Sequence, residues 1–277
     1  MSVDHYENFP VASWLCPPRL RPAIQAIYHF ARTADDLADE GQAAPAQRLA
    51  DLAQYGQDLQ AVLAGHQPSP RWASVFSALA DQQRAFALPP ALLYDLLKAF
   101  VQDVHNPRYA DRASLLGYCR LSANPVGRLL MHLYGIADEV SLRQSDAICS
   151  ALQLINFWQD LGRDLPNGRC YIPTSDLTQH QLSWPEGMPL QDTPQTRQLV
   201  RSLVDWSRSL MLEGAPLAAR VPGRAGWELC LVVQGGLRIL DKISAMDHSP
   251  LSQRPCITVL DAPALIWRAC WMRRAAA

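Results

Sequence analysis

Hydrophobic residues recur at helical spacing along most of this chain. Steps of three and four residues between apolar positions indicate amphipathic helices, whereas the alternating Val, Ile and Thr runs typical of strands are almost absent. The sequence therefore predicts an all-α fold of roughly ten or more helices. The apolar stretches are Ile24 to Ala31, Leu92 to Val104, Leu129 to Leu133, Leu152 to Leu161, Leu199 to Leu210 and Leu237 to Ile243.

Proline and glycine punctuate the pattern, and one segment, Pro166 to Pro194, is unusually rich in proline and polar residues. This segment is either a plain surface connection or a flap over a site, since long loops in compact domains are often lids. Asp111 or Ser114 is expected to cap a helix that begins before Leu115. Without a repeat or a low-complexity linker, we expect one domain over residues 1–277.

Composition narrows the class of protein. Of the 277 residues, 49% are hydrophobic, which is enough for a large core, and the formal net charge of −1 gives no reason to expect a nucleic acid partner. The seven cysteines are odd in number and lack zinc-site spacing, so we interpret them as reduced, mostly buried thiols.

The sequence predicts a cytoplasmic protein. It shows no signal-peptide core, and no apolar run approaches the ~18 residues of a membrane span. The segment WRACWMRR, residues 267–274, combines aromatic and basic residues. It can rest on a membrane surface, although a packed last helix with a basic end is the simpler interpretation.

The stretch ARTADDLADE, residues 31–40, crowds four carboxylates into a segment that otherwise looks helical and apolar. On a helical wheel, Asp35 and Asp39 continue the face that Ile24, Tyr28 and Arg32 begin, and we expect that face to point inward. Carboxylates repel one another at helical spacing, and buried ones are costly unless they are paired or bind metal. The alternative is a solvated acidic helix end, but acids are unfavourable at the negative C-terminal end of the helix dipole. The cluster therefore predicts a bound cation.

A second acidic face lies in LQLINFWQDLGRDL, residues 152–165. Gln153, Asn156, Asp160 and Asp164 share one sector of a helix that is otherwise apolar nearly all round, and such a helix is buried. Mg²⁺ prefers oxygen ligands and usually bridges a few carboxylates to substrate phosphates. Two such faces in one helical domain predict carboxylates that hold Mg²⁺ on a diphosphate.

These motifs resemble those of the squalene/phytoene synthase family of head-to-head prenyl synthases, and the resemblance covers most of the chain. It implies an all-α isoprenoid-synthase bundle around a deep cavity. The start of the chain and the segment NFWQD look most like the bacterial branch that makes hydroxysqualene for hopanoids. The matching segments are HYENFPVAS (5–13), YHFARTADDLADE (28–40), YCRLSANPVGRLL (118–130), LQLINFWQDLGRD (152–164) and GRCYIP (168–173).

By motif position, the resemblance implies particular site residues. Six oxygen-bearing side chains would bind the metal: Asp35, Asp36 and Asp39 at the first site, and Asn156, Asp160 and Asp164 at the second. Other positions match residues that contact the diphosphate or line the cavity. They are Arg32, Arg169, Tyr28, Tyr118, Tyr171 and Phe9. Aromatic faces stabilise a carbocation by roughly 0.5 to 2 kcal/mol, which gives the tyrosines a catalytic role. For Phe157 and Trp158 we favour ordinary core packing.

Gln159 departs from the family pattern, because many relatives have arginine just before the first aspartate of the second motif. By resemblance, Gln159 would contact the diphosphate at this position, but without the positive charge of an arginine. We therefore do not expect the diphosphate to be bound by an identical set of residues. The glutamine also argues against a phytoene synthase, in which we would expect arginine at this position.

The resemblance implies that Mg²⁺ ionises presqualene diphosphate, that the cation rearranges, and that water captures it to give hydroxysqualene. NADPH is not expected, and the product would pass to a downstream hydroxysqualene-processing enzyme. Within the family, presqualene diphosphate synthase, reductive squalene synthase and phytoene synthase are the alternatives. Outside the family, one alternative is a non-catalytic assembly factor on the same fold, but such proteins usually lack aspartates of one or both motifs, and this chain keeps both motifs. Another is an all-helical Mg²⁺-dependent nucleotide pyrophosphatase, which would have glutamate-rich clusters in place of these aspartates.

Overall fold

The computed structural model describes residues 16–185 and 187–275, the last two of these as backbone only. Within those ranges the chain forms thirteen α-helices, two short 3-10 turns and no strand, which confirms the all-α prediction. The helices are α1 (Arg21–Asp39), α2 (Pro45–Leu63), α3 (Ala73–Phe86), α4 (Pro90–His105), α5 (Arg112–Ser122), α6 (Asn124–Leu133), α7 (Glu139–Gln159), α8 (Leu161–Asp164), α9 (Thr174–Gln179), α10 (Pro194–Gly214), α11 (Leu217–Arg220), α12 (Gly223–Ala245) and α13 (Ala262–Ala275).

Local sequence sets many of the helix ends. Proline occupies the first turn of several helices, where its missing N–H is harmless. Asp111 and Ser114 both take part in the start of α5, since each side chain bonds the backbone of the other in a capping box. Ala87 and Asn106 end α3 and α4 in the left-handed conformation common at helix C-termini.

Helix α7 is the centre of the larger hydrophobic core. The apolar residues of its second half, from Ala151 to Trp158, are buried as the sequence predicts. Trp158 is fully buried, and its indole N–H donates to Ser207 Oγ on α10 at 2.8 Å. Glycines on two neighbours allow close helix packing. A Cβ at Gly127 on α6 would lie 2.5 Å from Cys149 Sγ, and one at Gly214 on α10 would lie 2.6 Å from the Gln144 carbonyl oxygen.

A second hydrophobic core joins α1 to α4 and one face of α6. Its centre is a group of rings in which Phe30 stacks on Tyr55 at 5.3 Å and Phe76 lies 4.6 Å from Tyr55. The Tyr55 hydroxyl donates to the Phe30 carbonyl at 3.1 Å, which satisfies its one buried polar group. Each such buried side chain contributes roughly 1.5 to 3 kcal/mol.

The expected inward face of α1 is only half-buried, which corrects the helical-wheel prediction. The fully buried face carries Ala23, Ile27, Phe30, Ala34 and Ala38, because its alanines let α1 pack closely against its neighbours. The acidic face lies beside it. That position leaves the carboxylates partly accessible, as ligands for a cation must be.

The second motif does not lie on one continuous helix. Helix α7 ends at Gln159, Asp160 is its C-cap, and Asp164 belongs to the short helix α8. The prediction of a single helix over both aspartates was therefore wrong. The Asp164 N–H still donates to the Asp160 carbonyl at 2.9 Å, so the two side chains remain one turn apart.

The segment from Pro166 to Pro194 is neither a loose connection nor, in its first half, a free flap. It contains α9, it buries Cys170, Ile172 and Leu177, and its backbone bonds to that of residues 109 and 110. This anchoring holds Arg169 and Tyr171 in fixed positions.

The cysteines match the prediction of reduced thiols. All seven are free, and four of them are buried. Across the described part of the chain, no helix combines the length and apolar character needed to cross a bilayer.

Candidate active site

The first acidic motif is organised around Arg32. Its guanidinium lies 3.0 Å from Asp35, 2.7 Å from Asp36 and 2.5 Å from Glu40, and all four side chains are partly exposed. The predicted diphosphate contact is thus an intramolecular ion-pair centre in this structure. An arginine has five N–H donors, so it can share them with a bound anion.

Arg169 joins the two acidic motifs. Its guanidinium donates to Asp39 at 3.2 Å across 130 positions of sequence. The same charge opposes the rise in the pKa of Asp35 on α1 and of Asp164 on α8, so it lies within electrostatic reach of both. The structure therefore brings the two motifs together around one arginine.

Two carboxyls of the motifs are held in an unfavourable charged state. Burial, followed by the charge of Asp39, raises the pKa of Asp35 to about 6. Burial, followed by the charge of Asp160, raises the pKa of Asp164 to about 6. Such shifts indicate carboxyls that are partly withdrawn from water and lie close to other carboxylates, and a bound cation would favour their charged form.

Asp103 is a site residue that the sequence analysis missed. It lies on α4 and shares the electrostatic neighbourhood of Asp35, Asp39 and Arg169; burial raises its pKa to about 7, opposed by a hydrogen bond from Tyr118. The only signal in the sequence was an acid near the end of an apolar helix. That signal is weak, because acids at helix ends are common on protein surfaces.

Four aromatic rings, here called the aromatic wall, lie next to the carboxylates: Tyr109, Tyr118, Phe157 and Tyr171. Tyr171 stacks on Phe157 at 3.7 Å with nearly parallel planes, and Tyr118 lies 6.2 Å from both rings. Tyr109, which the sequence analysis did not select, lies 5.7 Å from Tyr118 and 6.3 Å from Tyr171. The predicted Tyr118 and Tyr171 are thus brought together, and Phe157 is both packed and part of the wall.

Three further candidates are placed differently. Tyr28 is half-buried one turn before Arg32, with its ring 5.5 Å from that of His29. Asn156 lies on the last turn of α7, and its carbonyl accepts the Asp160 N–H at 3.0 Å. Phe9 lies outside the described residues. The roles of all three residues stay predictions.

Gln159 does not face the carboxylates in the manner expected of a diphosphate contact. Its side chain is 2% exposed, and its amide donates to the Pro255 carbonyl at 2.5 Å. The next residue, Asp160, forms a bidentate ion pair with Arg254. Nε of the arginine lies 2.5 Å from Oδ1 of the aspartate, and Nη2 lies 2.9 Å from Oδ2. Sequence reasoning missed Arg254, since nothing in a short loop 94 positions away points to this pairing.

The carboxylates suit a metal that is shared with a ligand. No three Asp, Glu, His or Cys side chains within residues 16–185 and 187–275 converge tightly enough to bind one ion. Mg²⁺ is usually bound by one or two carboxylates, waters and substrate phosphates, so partly exposed aspartates on two facing elements fit it. The buried Oδ1 atom of Asp36 also accepts no well-formed hydrogen bond, although an Arg32 nitrogen lies 2.7 Å away.

The described residues also line a groove of about 500 Å³, which contains none of the candidate residues. Its lining comes mainly from α10, together with Arg112 on α5. The deep cavity expected from the family resemblance stays a prediction.

The fold is that of terpenoid and squalene synthases, a class of all-α isoprenoid synthases. The structure matches a squalene synthase, HpnC, from Alicyclobacillus acidocaldarius with a TM-score of 0.81 and 36% identity, over 89% of this chain and 91% of that one. A dehydrosqualene synthase solved with a ligand gives the same TM-score at 22% identity, over 94% of this chain and 89% of the other, which supports the fold alone.

The squalene/phytoene synthase family model matches residues 3–261, and the chain belongs to that family. Hydroxysqualene synthase from Rhodopseudomonas palustris is 36% identical over 90% of this chain and 82% of its own length. Hydroxysqualene synthase from Sinorhizobium fredii is 34% identical over 94% of this chain and 86% of its own. The protein is therefore an enzyme of the isoprenoid-synthase type, and its family acts on prenyl diphosphates.

Proposed function

We propose that this enzyme is a Mg²⁺-dependent hydroxysqualene synthase, a lyase-type prenyl-diphosphate enzyme of squalene and hopanoid biosynthesis. It would convert presqualene diphosphate and water into hydroxysqualene and diphosphate. The observation that carries the proposal is the position of Arg169, between two acidic motifs and close in sequence to the stacked ring of Tyr171. A leaving diphosphate and an aromatic surface for a cation would thus meet at one place.

The side chains of the two motifs support the first step of this chemistry. The bond between the cyclopropylcarbinyl carbon and the diphosphate oxygen breaks, and both electrons leave with the diphosphate. Mg²⁺, when bound to the aspartates, would act as a Lewis acid on that leaving group. Arg32 and Arg169 offer charge-assisted N–H donors to the same anion.

The aromatic wall then faces the cation. The rings of Tyr118, Phe157 and Tyr171 present π surfaces, which stabilise a positive charge by roughly 0.5 to 2 kcal/mol each when water is excluded. After rearrangement, a water oxygen forms the new C–O bond and one of its protons is released. No hydride enters this reaction, so NADPH is not required by the proposal.

Relatives support the water-capture reaction over the family alternatives. Three named hydroxysqualene synthases are 33 to 36% identical to this chain, whereas a 15-cis-phytoene synthase from Pantoea ananas is 25% identical. Presqualene diphosphate synthase remains the second candidate within the family. The retained aspartates in both motifs argue against an assembly factor without activity.

A product assay tests the proposal. The purified protein is incubated with Mg²⁺ and presqualene diphosphate without NADPH, and in parallel with farnesyl diphosphate, and extracts are analysed by mass spectrometry. We expect hydroxysqualene from presqualene diphosphate. Presqualene diphosphate formed from farnesyl diphosphate would instead assign the first half-reaction, and a folded protein silent with both would favour the assembly factor.

We also propose that the protein contacts a membrane surface peripherally. Val259 and Leu260 are each 87% exposed just before α13, and Trp267 and Trp271 are more than half exposed and four residues apart on that helix, so they share a face. Exposed tryptophans and aliphatic residues on one face are typical of interfacial helices. A lipid surface would supply the water-insoluble substrate, and transfer of the product to a downstream enzyme stays a prediction.

A further inference from the structure

The second aspartate motif is met by an arginine from a distant part of the chain. Residues 251–256, here called the C-terminal strap, follow α12 and lie against the junction of α7 and α8. Arg254 in this strap contacts Asp160 with two nitrogens, at 2.5 and 2.9 Å, and the two side chains are only 20% and 16% exposed. A paired, partly buried carboxylate–guanidinium contact of this kind is strong and directional.

Gln159 holds the strap from the side of α7. Its amide nitrogen donates to the Pro255 carbonyl at 2.5 Å, one residue after Arg254, and the glutamine is 2% exposed. Its Oε1 atom is buried without a hydrogen-bond partner. Leaving this oxygen without a partner costs free energy, so the bond from the amide nitrogen is the polar contact that Gln159 retains in its buried position. That bond fixes the backbone of the strap at Pro255.

Other contacts show that the strap is closely fitted. A Cβ at Gly162 on α8 would overlap the Leu251 carbonyl oxygen, so only glycine permits this approach. Lys242 on α12 donates to the Cys256 carbonyl at 2.7 Å and to Asp261 at 2.6 Å. The strap is therefore held on both sides of Arg254.

We propose that Gln159 is a positioning residue that seats the strap, and that the seated strap places the guanidinium of Arg254 at the second aspartate motif. Two of the five Arg254 N–H donors face Asp160 and one faces Cys256 Sγ at 3.4 Å. The remaining donors can bind an anion. The inference rests on the proposed diphosphate-binding role of this motif.

An arginine at position 159 would therefore not improve the site. The side chain is enclosed, and its neighbour is the Pro255 carbonyl. A longer, charged side chain would have to push the strap away to reach water, because a buried guanidinium with one neutral acceptor is costly. Gln159→Arg is expected to remove Arg254 from Asp160 rather than add a second charge.

The seating of the strap can be measured without turnover. Cys256 lies in the strap and is partly buried, as is Cys270 on α13. Labelling with N-ethylmaleimide, followed by peptide mass spectrometry, reports the accessibility of each thiol. Gln159→Met and Gln159→Arg should each speed labelling of Cys256 roughly tenfold, the ratio expected for loss of one buried hydrogen bond, and leave Cys270 unchanged.

Gln144→Met is the matched control, since Gln144 lies on the same helix and also has a buried, unbonded Oε1. It should leave Cys256 labelling unchanged. Unchanged labelling of Cys256 in both Gln159 variants would overturn the proposal. Equal acceleration in Gln144→Met would overturn it too, because the effect would then be a general loosening of α7.

The second measurement is the affinity for inorganic pyrophosphate with Mg²⁺, by calorimetry. Gln159→Met and Arg254→Ala should each weaken binding roughly tenfold, and the double variant should be no weaker than Arg254→Ala, because the two residues act through one contact. Arg254→Lys should recover part of the loss. Fully additive losses, or tighter binding by Gln159→Arg, would contradict the proposal.

The two measurements separate this inference from the proposed function. The Arg254 variants lie in a loop, so they remain informative if Gln159→Met yields little folded protein. Failure of the unsubstituted protein to bind pyrophosphate would count against the proposed diphosphate site and against the anion-binding part of the inference. The labelling would still decide whether Gln159 seats the strap.

Discussion

At the scale of single residues, Arg169 and Arg254 set the charge balance of the site. Arg169 contacts Asp39 and Arg254 contacts Asp160, so each acidic motif receives one arginine from a distant part of the chain. Asp35 and Asp164 nevertheless keep raised pKa values of about 6. Burial and the neighbouring carboxylates outweigh the effect of the arginines on both pKa values. A bound metal ion would favour the charged form of both carboxyls, which is the physical reason to expect a metal there.

Removal of one carboxylate from either motif should abolish diphosphate release with little loss of fold. We expect Asp36→Asn and Asp160→Asn to lower kcat/KM roughly a hundredfold or more, the scale of losing one charge-stabilising group. Steady-state release of diphosphate measures this. The control is Asp51→Asn, which removes an ion pair with Arg71 that belongs to neither motif. Full activity in either motif variant would refute the metal-site assignment.

The raised pKa of Asp103 should make the free energy of unfolding depend on pH. Its pKa is raised to about 7 from an ordinary value near 3.8, so its stabilising contribution is complete at low pH and is lost progressively as the pH rises through about 7. The metal-free protein should therefore be less stable at about pH 8 than at about pH 5. Asp103→Asn, which stays neutral, should flatten this slope and gain roughly 1 to 2 kcal/mol at the upper end.

Urea unfolding of both proteins at the two pH values, without divalent metal, checks that expectation. A slope as steep in Asp103→Asn as in the unsubstituted protein would show that other groups cause it.

Sequence reasoning found the acidic motifs because their spacing is local, and it missed the residues that meet them across the fold. The four-residue steps in both motifs can be read directly from the chain. By contrast, Asp103 reaches Asp35 from another helix, and Arg254 reaches Asp160 across 94 positions. Such contacts depend on tertiary packing, which no local pattern encodes.

At the scale of elements, close helix contacts around α7 hold the second motif in place. Helix α10 approaches α7 where Gly214 faces the backbone of Gln144. The periodic apolar pattern predicted both helices, but it could not predict that α7 stops at Gln159. At that end the C-terminal strap bonds the side chains of Gln159 and Asp160 from outside the helix.

A pair of glycine substitutions tests this packing. A Cβ at Gly214 would lie 2.6 Å from a backbone oxygen, so Gly214→Ala should destabilise the protein by roughly 1 to 3 kcal/mol. A Cβ at Gly235, inside α12, would meet nothing within 4 Å, so Gly235→Ala should stabilise the protein by roughly 0.5 to 1 kcal/mol. Chemical unfolding of both variants measures the difference. Equal effects would contradict the close packing of α7 and α10.

At the scale of the whole molecule, the exposed apolar surface and the site lie on the same part of the chain. The C-terminal strap contributes Arg254 to the second motif, and a few residues later Val259 and Leu260 are almost fully exposed. A membrane contact there would bring the source of a lipid substrate near the carboxylates. The sequence indicated this surface only through the aromatic and basic composition of its last segment.

Binding to phospholipid vesicles tests the membrane contact. Trp267→Glu should weaken partition into sedimented vesicles roughly tenfold or more, because it replaces a large exposed apolar group with a charge. The control is Leu212→Glu, since Leu212 is 54% exposed on α10. Equal binding of the two variants would argue that the exposed face of α13 meets another partner, such as a second copy of the chain.

The central claim is that water captures the rearranged cation after diphosphate leaves. The most direct measurement is a reaction of presqualene diphosphate with the Mg²⁺-loaded protein in ¹⁸O-labelled water, without NADPH, with product and diphosphate both quantified. We predict hydroxysqualene that carries one ¹⁸O atom, in equal amount to the released diphosphate. A hydrocarbon product, or hydroxysqualene without the label, would contradict the account.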